Sequence, residues 1–211
     1  MAQSTHPDDV SVLFDRRVPP LEHFLDQAQT IADTCRAMAA RFEDGGTLFV
    51  FGNGGPSTDA QHVAVEFVHP VIVGKRALPA VSLTGDIATV TGIANDRGMA
   101  EVFSYQLRVL ATPGDIALGI STDGDCTNVA HGLRTARALG LMTVALVGGD
   151  GGVIRAEALA DQVICAYSRD PQVVKEVHVT AYHLLWELVH VFLERDRALS
   201  ASLSATTGPG R

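Results

Sequence analysis

Lysine is scarce in this chain of 211 residues, which contains only Lys75 and Lys175. The formal net charge is -8 at pH 7. Proteins that coat nucleic acid need clustered lysine and arginine side chains to neutralise phosphates, so this composition argues against a direct nucleic-acid partner. The sequence also lacks an apolar run approaching the roughly 20 residues that span a bilayer, which argues against a membrane role.

Cysteine is equally sparse. The three cysteines, Cys35, Cys126 and Cys165, are odd in number and widely spaced, so they indicate a reducing compartment and no disulfide framework. The first ten residues are polar and acidic and do not have the pattern of a signal peptide. These features together predict a cytoplasmic protein.

Apolar residues make up 46% of the chain and charged residues 19%, which is enough for a sizeable core. We divide the chain into a loose N-terminal arm at 1–18, a single domain at 19–197 and a frayed C-terminal tail at 198–211. Apolar residues at helical spacing predict a first long helix at about 20–44. No linker or internal repeat divides the remainder.

Short apolar stretches bounded by turn residues predict five strands, namely Thr47–Gly52, Ala80–Leu83, Ile116–Ser121, Thr143–Val147 and Gln162–Ala166. Helical patterns lie between most of them and after the last, at 59–68, 100–110, 128–139, 153–159 and 173–195. Strands that alternate with helices predict an α/β fold, in which helices on both faces cover a five-stranded parallel sheet in a three-layer sandwich.

Loops that follow strands of such a sheet are the usual place for a ligand. Gly52-Asn53-Gly54-Gly55 is either a ligand-holding loop or a plain strand-to-helix turn, and it lacks the spacing of a dinucleotide fingerprint. The loop at 119–128 has hydroxyls before a helix, which suits either a phosphate cradle or a simple helix cap. Ala94–Arg97 is interpreted as a polar turn.

His62 and Glu66 lie four residues apart on the predicted helix after the first loop, which places them on one face. That spacing suits a metal pair or a general acid–base pair. It suits equally a hydrogen-bonded pair on a partly exposed helix. His183 lies on the last predicted helix, where a lone histidine is more often structural than catalytic.

Taken together, these segments resemble the sugar isomerase (SIS) domain family, and within it the phosphoheptose isomerase branch. The resemblance covers nearly the whole chain. It depends on the order and spacing of five segments, namely Gly52–Gly55, Asp59–Glu66, Ile93–Asp96, Gly114–Thr122, and Glu176–His178 with His183. It implies a doubly wound, flavodoxin-like sheet, a homotetramer with sites at subunit contacts, and the first and last helices as packing surfaces.

The resemblance also implies the chemistry. Enzymes of this branch convert sedoheptulose 7-phosphate to an aldoheptose 7-phosphate through an enediol-like intermediate. It implies that Glu66 is the catalytic base, that His183 is the acid, and that His62, Glu66 and His183 bind zinc. The implied substrate-binding positions, besides Glu66, are Asn53, Gly54, Gly55, Asn95, Asp96, Ser121, Thr122, Asp123, Cys126 and Lys175.

Three features depart from the family pattern. Pro56 replaces a serine, which removes a backbone donor and a hydroxyl. The serine-rich phosphate loop here carries Asp123, Asp125 and Cys126, and a carboxylate about 4 Å from a phosphate charge costs about 1 kcal/mol in water and more in a shielded pocket.

Lys175 stands where the family has a zinc-ligating glutamine. A protonated lysine repels zinc. It can replace the metal charge, pair with Asp123 or Asp125, bind an acidic ligand, or point to solvent.

Two functions from different classes are therefore predicted. The first is aldose–ketose isomerisation of a sugar phosphate by Glu66 and His183, with zinc as the implied cofactor. The second is a non-catalytic SIS module that binds a sugar-derived ligand or a protein partner. The altered phosphate loop and Lys175 favour the second, whereas the retained Glu66 and His183 favour the first.

Overall fold

A computed structural model of the chain describes the backbone of residues 10–206 and the side chains of residues 10–195 and 197. All five predicted strands are present and all neighbouring pairs are parallel. They are β1 (Leu48–Gly52), β2 (Ala80–Ser82), β3 (Ile116–Ser121), β4 (Met142–Gly148) and β5 (Gln162–Ala166). The order in the sheet is β2-β1-β3-β4-β5, the doubly wound, flavodoxin-like order.

Nine α-helices surround the sheet in the described part of the chain. They are α1 (Val10–Asp15), α2 (Val18–Leu25), α3 (Ala28–Glu43), α4 (Gly55–Val68), α5 (Ile87–Arg97), α6 (Val102–Leu110), α7 (Thr127–Ala138), α8 (Gly152–Ala156) and α9 (Pro171–Thr206), with a 3-10 turn at Met99–Glu101. None of these helices is long and apolar enough to cross a membrane.

Two hydrophobic layers hold the helices to the sheet, one on each face. Strands β3 and β4 contribute alternate residues to the two layers, so that Leu118 packs in one and Ala117 in the other. Helices α3, α4 and α9 cover the first face, and α6 and α7 cover the second. The three-layer sandwich is confirmed, because strands buried on both faces need helices on both sides.

The predicted long first helix at 20–44 is wrong in one respect, since it divides into α2 and α3 around Asp26 and Gln27. The side-chain amide of Gln27 donates to the carbonyl of Cys165 and accepts from its N–H, both at 2.8 Å. Cys165 lies on the edge strand β5, so Gln27 satisfies backbone groups that would otherwise be unpaired. The helix breaks where this pairing occurs.

The predicted ends of the chain also need correction. The loose arm at 1–18 contains α1 and the start of α2, while residues 1–9 lie outside the described part. Arg17, between these helices, donates from two guanidinium nitrogens to the carboxylate of Glu176 at 2.7 and 2.8 Å, which ties the N-terminal helices to α9. At the other end α9 continues through Thr206, so most of the predicted tail is helical, and residues 207–211 lie outside the described part.

The segment Ala94–Arg97, predicted to be a polar turn, is the last turn of α5. The carboxylate of Asp86 caps this helix by accepting from the N–H groups of Ala88 and Thr89 at 3.0 and 3.3 Å. Gly98, with φ of +89°, ends it. Only Ile93 of α5 is buried, so the helix has almost no apolar periodicity by which to predict it.

Candidate active site

The glycine loop lies where the strand order of the sheet reverses. Strand β1 pairs with β2 on one side and β3 on the other, and its last residue, Gly52, lies opposite Ile120 of β3. In open α/β sheets this switch point opens the crevice in which ligands bind. A Cβ on Gly52 would lie 2.7 Å from the Ile120 carbonyl oxygen, so only glycine fits there. Gly54 has φ of +60°, which also favours glycine.

Helix α4 starts within this loop, at Gly55, and Pro56 occupies its first turn. An N–H in the first turn has no partner within the helix, so proline is tolerated there and removes no helical hydrogen bond. Asn53 is fixed by Asn128 of α7, since the two side-chain amides exchange hydrogen bonds of 2.7 and 2.9 Å. The loop is therefore anchored by Asn53 on one side and by the start of α4 on the other.

His62, Glu66 and His183 converge at this crevice, although His183 is more than 100 residues away in sequence. The Nε2 atom of His62 lies 3.3 Å from Nε2 of His183 and 3.3 Å from Oε1 of Glu66. Helices α4 and α9 run side by side, and the indole N–H of Trp186 donates to the Glu66 carbonyl at 2.9 Å. Docking of the two helices therefore brings the predicted metal and acid–base residues together.

This geometry fits a zinc ion. One ligand atom from each of the three residues can be chosen so that all lie within 4.8 Å of one another. In a tetrahedral site with bonds of about 2.0–2.1 Å, two ligand atoms lie about 3.3–3.4 Å apart. Both short distances at His62 match that spacing. Two histidines and a carboxylate are also a common donor set of catalytic zinc sites, which keep a further position open.

Tyr182 packs against both histidines from behind and is 4% exposed. Its ring centroid lies 5.5 Å from that of His62 and 4.8 Å from that of His183. Burial, together with the carboxylates of Asp59 and Glu66, raises the pKa of Tyr182 to about 12. The phenol therefore stays protonated at neutral pH.

Lys175 pairs with neither Asp123 nor Asp125, and it does not simply point to solvent. Its Nζ lies 2.6 Å from Oδ1 of Asp59, whose side chain is 5% exposed, while the lysine side chain is 44% exposed. Asp59 precedes His62 by one turn of α4. The Lys175 ammonium therefore lies on the side of α4 that carries His62 and Glu66, and Asp59 is its counter-ion. The other Asp59 oxygen, Oδ2, is buried and has no hydrogen-bond partner among the described residues.

His178, one turn after Lys175, is 2% exposed. Its Nε2 is likewise buried and unpaired within the described part of the chain. Burial lowers the pKa of His178 to about 4, so it is neutral in the folded protein. This histidine belongs to the core behind the site.

The loop after β3, at 121–126, is held by hydrogen bonds between its own side chains and backbone. Ser121 is fully buried, and its hydroxyl accepts from Gly124 N–H at 3.0 Å and donates to Asp123 at 3.1 Å. Asp125 accepts from Val153 N–H at 2.8 Å and so faces α8. Gly124 has φ of +82° and lies so close to α8 that an added Cβ would lie 2.0 Å from the carbonyl oxygen of Gly151.

The remaining predicted ligand residues fall into separate groups. Asn53 and Cys126 line one cavity of about 290 Å³. Thr122 and Asp123 line another of about 410 Å³, together with Arg169 after β5. Asn95 and Asp96, on α5, are exposed, and the side-chain amide of Asn95 donates to the carboxylate of Asp96 at 2.8 Å.

Sequence reasoning missed Asp59, Tyr182 and Arg169 as site residues. Asp59 had a usable signal, because it precedes His62 by three residues and Glu66 by seven and so shares their helix face. Tyr182 and Arg169 had none, because their roles depend on how α9 and the loop after β5 are placed.

Comparison with known proteins agrees with this architecture. The sequence profile of the SIS domain matches residues 19–148. A phosphoheptose isomerase of Desulfovibrio desulfuricans is 40% identical over 185 residues, which cover 87% of this chain and 87% of that protein. The structure of a phosphoheptose isomerase from Francisella tularensis has a TM-score of 0.83 at 28% identity and covers 89% of this chain and 99% of its own. That of Neisseria gonorrhoeae has a TM-score of 0.80, also at 28% identity, with coverage of 88% and 98%.

Proposed function

The chain belongs to the SIS domain family as a homologue of phosphoheptose isomerases, and from this premise we propose that it isomerises sedoheptulose 7-phosphate or a closely related ketose phosphate to the aldose. The observation that carries the proposal is the convergence of His62, Glu66 and His183 beside the glycine loop. A non-catalytic module has no need of a carboxylate and two imidazoles at this spacing. The enzyme is therefore favoured over a purely binding protein.

The proposed chemistry moves one proton between adjacent carbons and one between their oxygens. The Glu66 carboxylate takes a proton from C1 of the ketose and returns it to C2. His183 passes a proton from O1 to O2 through Nδ1, because its Nε2 faces His62 and would hold the metal, and the carbonyl thereby moves from C2 to C1. The Glu66 side chain is 14% exposed, so its carboxylate is largely shielded by the crevice but is still reached by solvent.

We propose that His62, Glu66 and His183 hold zinc, which supplies Lewis-acid polarisation of the sugar carbonyl when it is bound. The donor set and the two 3.3 Å distances support this. Asn53, Gly54 and Gly55 would contact the sugar, while Thr122 and Arg169 supply donors toward the phosphate. Ser121 contributes by shaping the loop, because its hydroxyl is already engaged.

We further propose a homotetramer that acts in the cytoplasm. The N-terminal helices expose apolar side chains that a subunit contact would bury, among them Phe14 at 66% and Leu25 at 72%. The cysteines are free thiols, as a reducing compartment would keep them. Sedimentation velocity measures the assembly, and a monomer at micromolar concentration would refute it.

The test is turnover of sedoheptulose 7-phosphate with zinc, followed by NMR in D2O, where proton transfer through Glu66 labels C2 of the product. Glu66→Gln and His183→Gln should each lower kcat by about 10²–10⁴-fold. Glu157→Gln is the matched control for Glu66→Gln, because Glu157 is an exposed glutamate that follows α8 and pairs with Arg134 at 2.8 Å, outside the cluster. Wild-type protein that neither turns over nor exchanges deuterium into any ketose phosphate would leave the non-catalytic function in its place.

A further inference from the structure

The two metal-type histidines lack the contacts that usually orient such residues. A metal-ligating histidine generally donates its second ring N–H to a carboxylate or a backbone carbonyl, which fixes the ring. Within the described residues, the hydrogen-bond contacts of His62 and His183 involve Nε2 only. The side chain of His62 is moreover 46% exposed, so burial does not fix its ring. Something else must hold the two rings so that their Nε2 atoms meet.

Three aromatic rings form a closed triangle at this point. The centroids of His62 and His183 are 5.4 Å apart with an interplanar angle of 74°. Tyr182 completes the triangle, tilted by 44° to His62 and edge-on at 69° to His183. All three separations lie in the range in which aromatic rings attract one another. Tyr182 is buried, so it is the ring of the three that core packing holds most closely.

Tyr182 is itself fixed by the core of α9. It belongs to the hydrophobic layer that also contains Trp186, one turn further along the helix. Trp186 in turn holds α4 through its hydrogen bond to the carbonyl of Glu66. A continuous packed path therefore runs from the core through Tyr182 to both imidazole rings.

We propose that Tyr182 is a positioning residue that sets the orientation of His62 and His183 for metal binding. It acts through the histidines and touches no reacting atom. The inference deepens the proposed function, because the same site would bind the metal, but it makes a claim about metal affinity that is independent of which sugar is turned over.

The experiment measures binding of Co²⁺ and Zn²⁺ to the full-length protein, by visible spectroscopy for Co²⁺ and by chelator competition for Zn²⁺. Tyr182→Leu keeps apolar bulk but removes the ring. It should weaken metal binding by about 10–100-fold, the range found when groups that orient metal ligands are removed, and change the Co²⁺ spectrum. Tyr182→Phe keeps the ring and should bind metal like the wild type.

Phe42→Leu is the control for lost core packing. Phe42 is buried in the same hydrophobic layer and stacks on Phe67 at 5.5 Å, away from the histidines. It should unfold at a lower urea concentration, as Tyr182→Leu does, with metal affinity unchanged.

Three results for the variants would overturn the proposal. These are unchanged metal binding in Tyr182→Leu, an equal loss in Phe42→Leu, and an equal loss in Tyr182→Phe. A wild-type protein that binds neither metal also overturns it, whereas turnover measured on the same sample decides the isomerase function separately.

Discussion

Replacement of Lys175 by methionine isolates the ion pair that the sequence did not predict. Methionine keeps most of the apolar stem of the lysine side chain and removes the ammonium. The carboxylate of Asp59 then loses its 2.6 Å partner while its side chain stays 5% exposed. Because Asp59 Oδ2 has no partner in the described structure either, the carboxylate would be left with no charge-assisted hydrogen bond.

The expected cost lies between two limits. Removal of one partner from a fully buried pair costs about 3–5 kcal/mol, while a fully exposed pair contributes about 0–1 kcal/mol. Lys175 is nearly half exposed and Asp59 is buried, so we expect a loss of about 2 kcal/mol in the free energy of unfolding. For a chain of this size that corresponds to a fall in Tm of about 4–8 °C.

The assay is urea denaturation of Lys175→Met, Asp59→Asn and the double variant at one protein concentration. Asp59→Asn should lower the free energy of unfolding by less than Lys175→Met does, because the Lys175 ammonium can then be hydrated by water. The double variant should be close to Asp59→Asn alone, since no buried charge remains in either. Costs that add in the double variant would refute the idea that Lys175 stabilises the protein by neutralising Asp59. A cost of Lys175→Met below that of Asp59→Asn would refute it as well.

The structure also makes predictions for a buried histidine and for the cysteines. The pKa of His178 is about 4 in the folded protein and about 6.5 in the unfolded chain, so stability is intact above about pH 6.5 and is lost as the pH falls toward 4. The free energy of unfolding should therefore be about 2–3 kcal/mol lower at pH 4.5 than at pH 7. In His178→Asn the free energy of unfolding should depend less steeply on pH. Parallel pH curves for the variant and the wild type would contradict this. Burial raises the pKa of the two core thiols to about 11 and 12, so a thiol reagent at pH 7.5 should label Cys126 alone in the folded protein. Sedoheptulose 7-phosphate should slow that labelling, and rapid labelling that persists in Cys126→Ala would contradict the assignment.

The strands were predictable because each is a short apolar run whose pattern is local. Two of them, at Ile116–Ser121 and Gln162–Ala166, have the predicted boundaries. The break between α2 and α3 was not predictable, because Gln27 pairs with a strand edge 138 residues away. Helix α5 was missed for the opposite reason, since it buries only Ile93 and so has no apolar stripe.

In the candidate site, too, the features set by local spacing were predictable and those set by long-range packing were not. The spacing of His62 and Glu66 placed both on one face of a helix, but the arrival of His183 depends on the packing of α9 along α4. The ion pair between Lys175 and Asp59 links residues 116 apart. Carboxylate chemistry alone suggested Asp123 and Asp125 as partners of this lysine, and only the placement of α9 decides against them.

The two ends of the crevice depart from the family's residue pattern to different degrees. At one end His62, Glu66 and His183 lie close together as the family pattern requires, and Asp59 pairs with Lys175. At the other end Asp125 is turned toward α8 and Asp123 accepts a hydrogen bond within its own loop. Asp123, Asp125 and Arg169 line the same cavity, so the guanidinium faces acidic neighbours there. On the proposed function we therefore expect His62, Glu66 and His183 to determine the reaction type, and Arg169 with its acidic neighbours to influence which ketose phosphate binds.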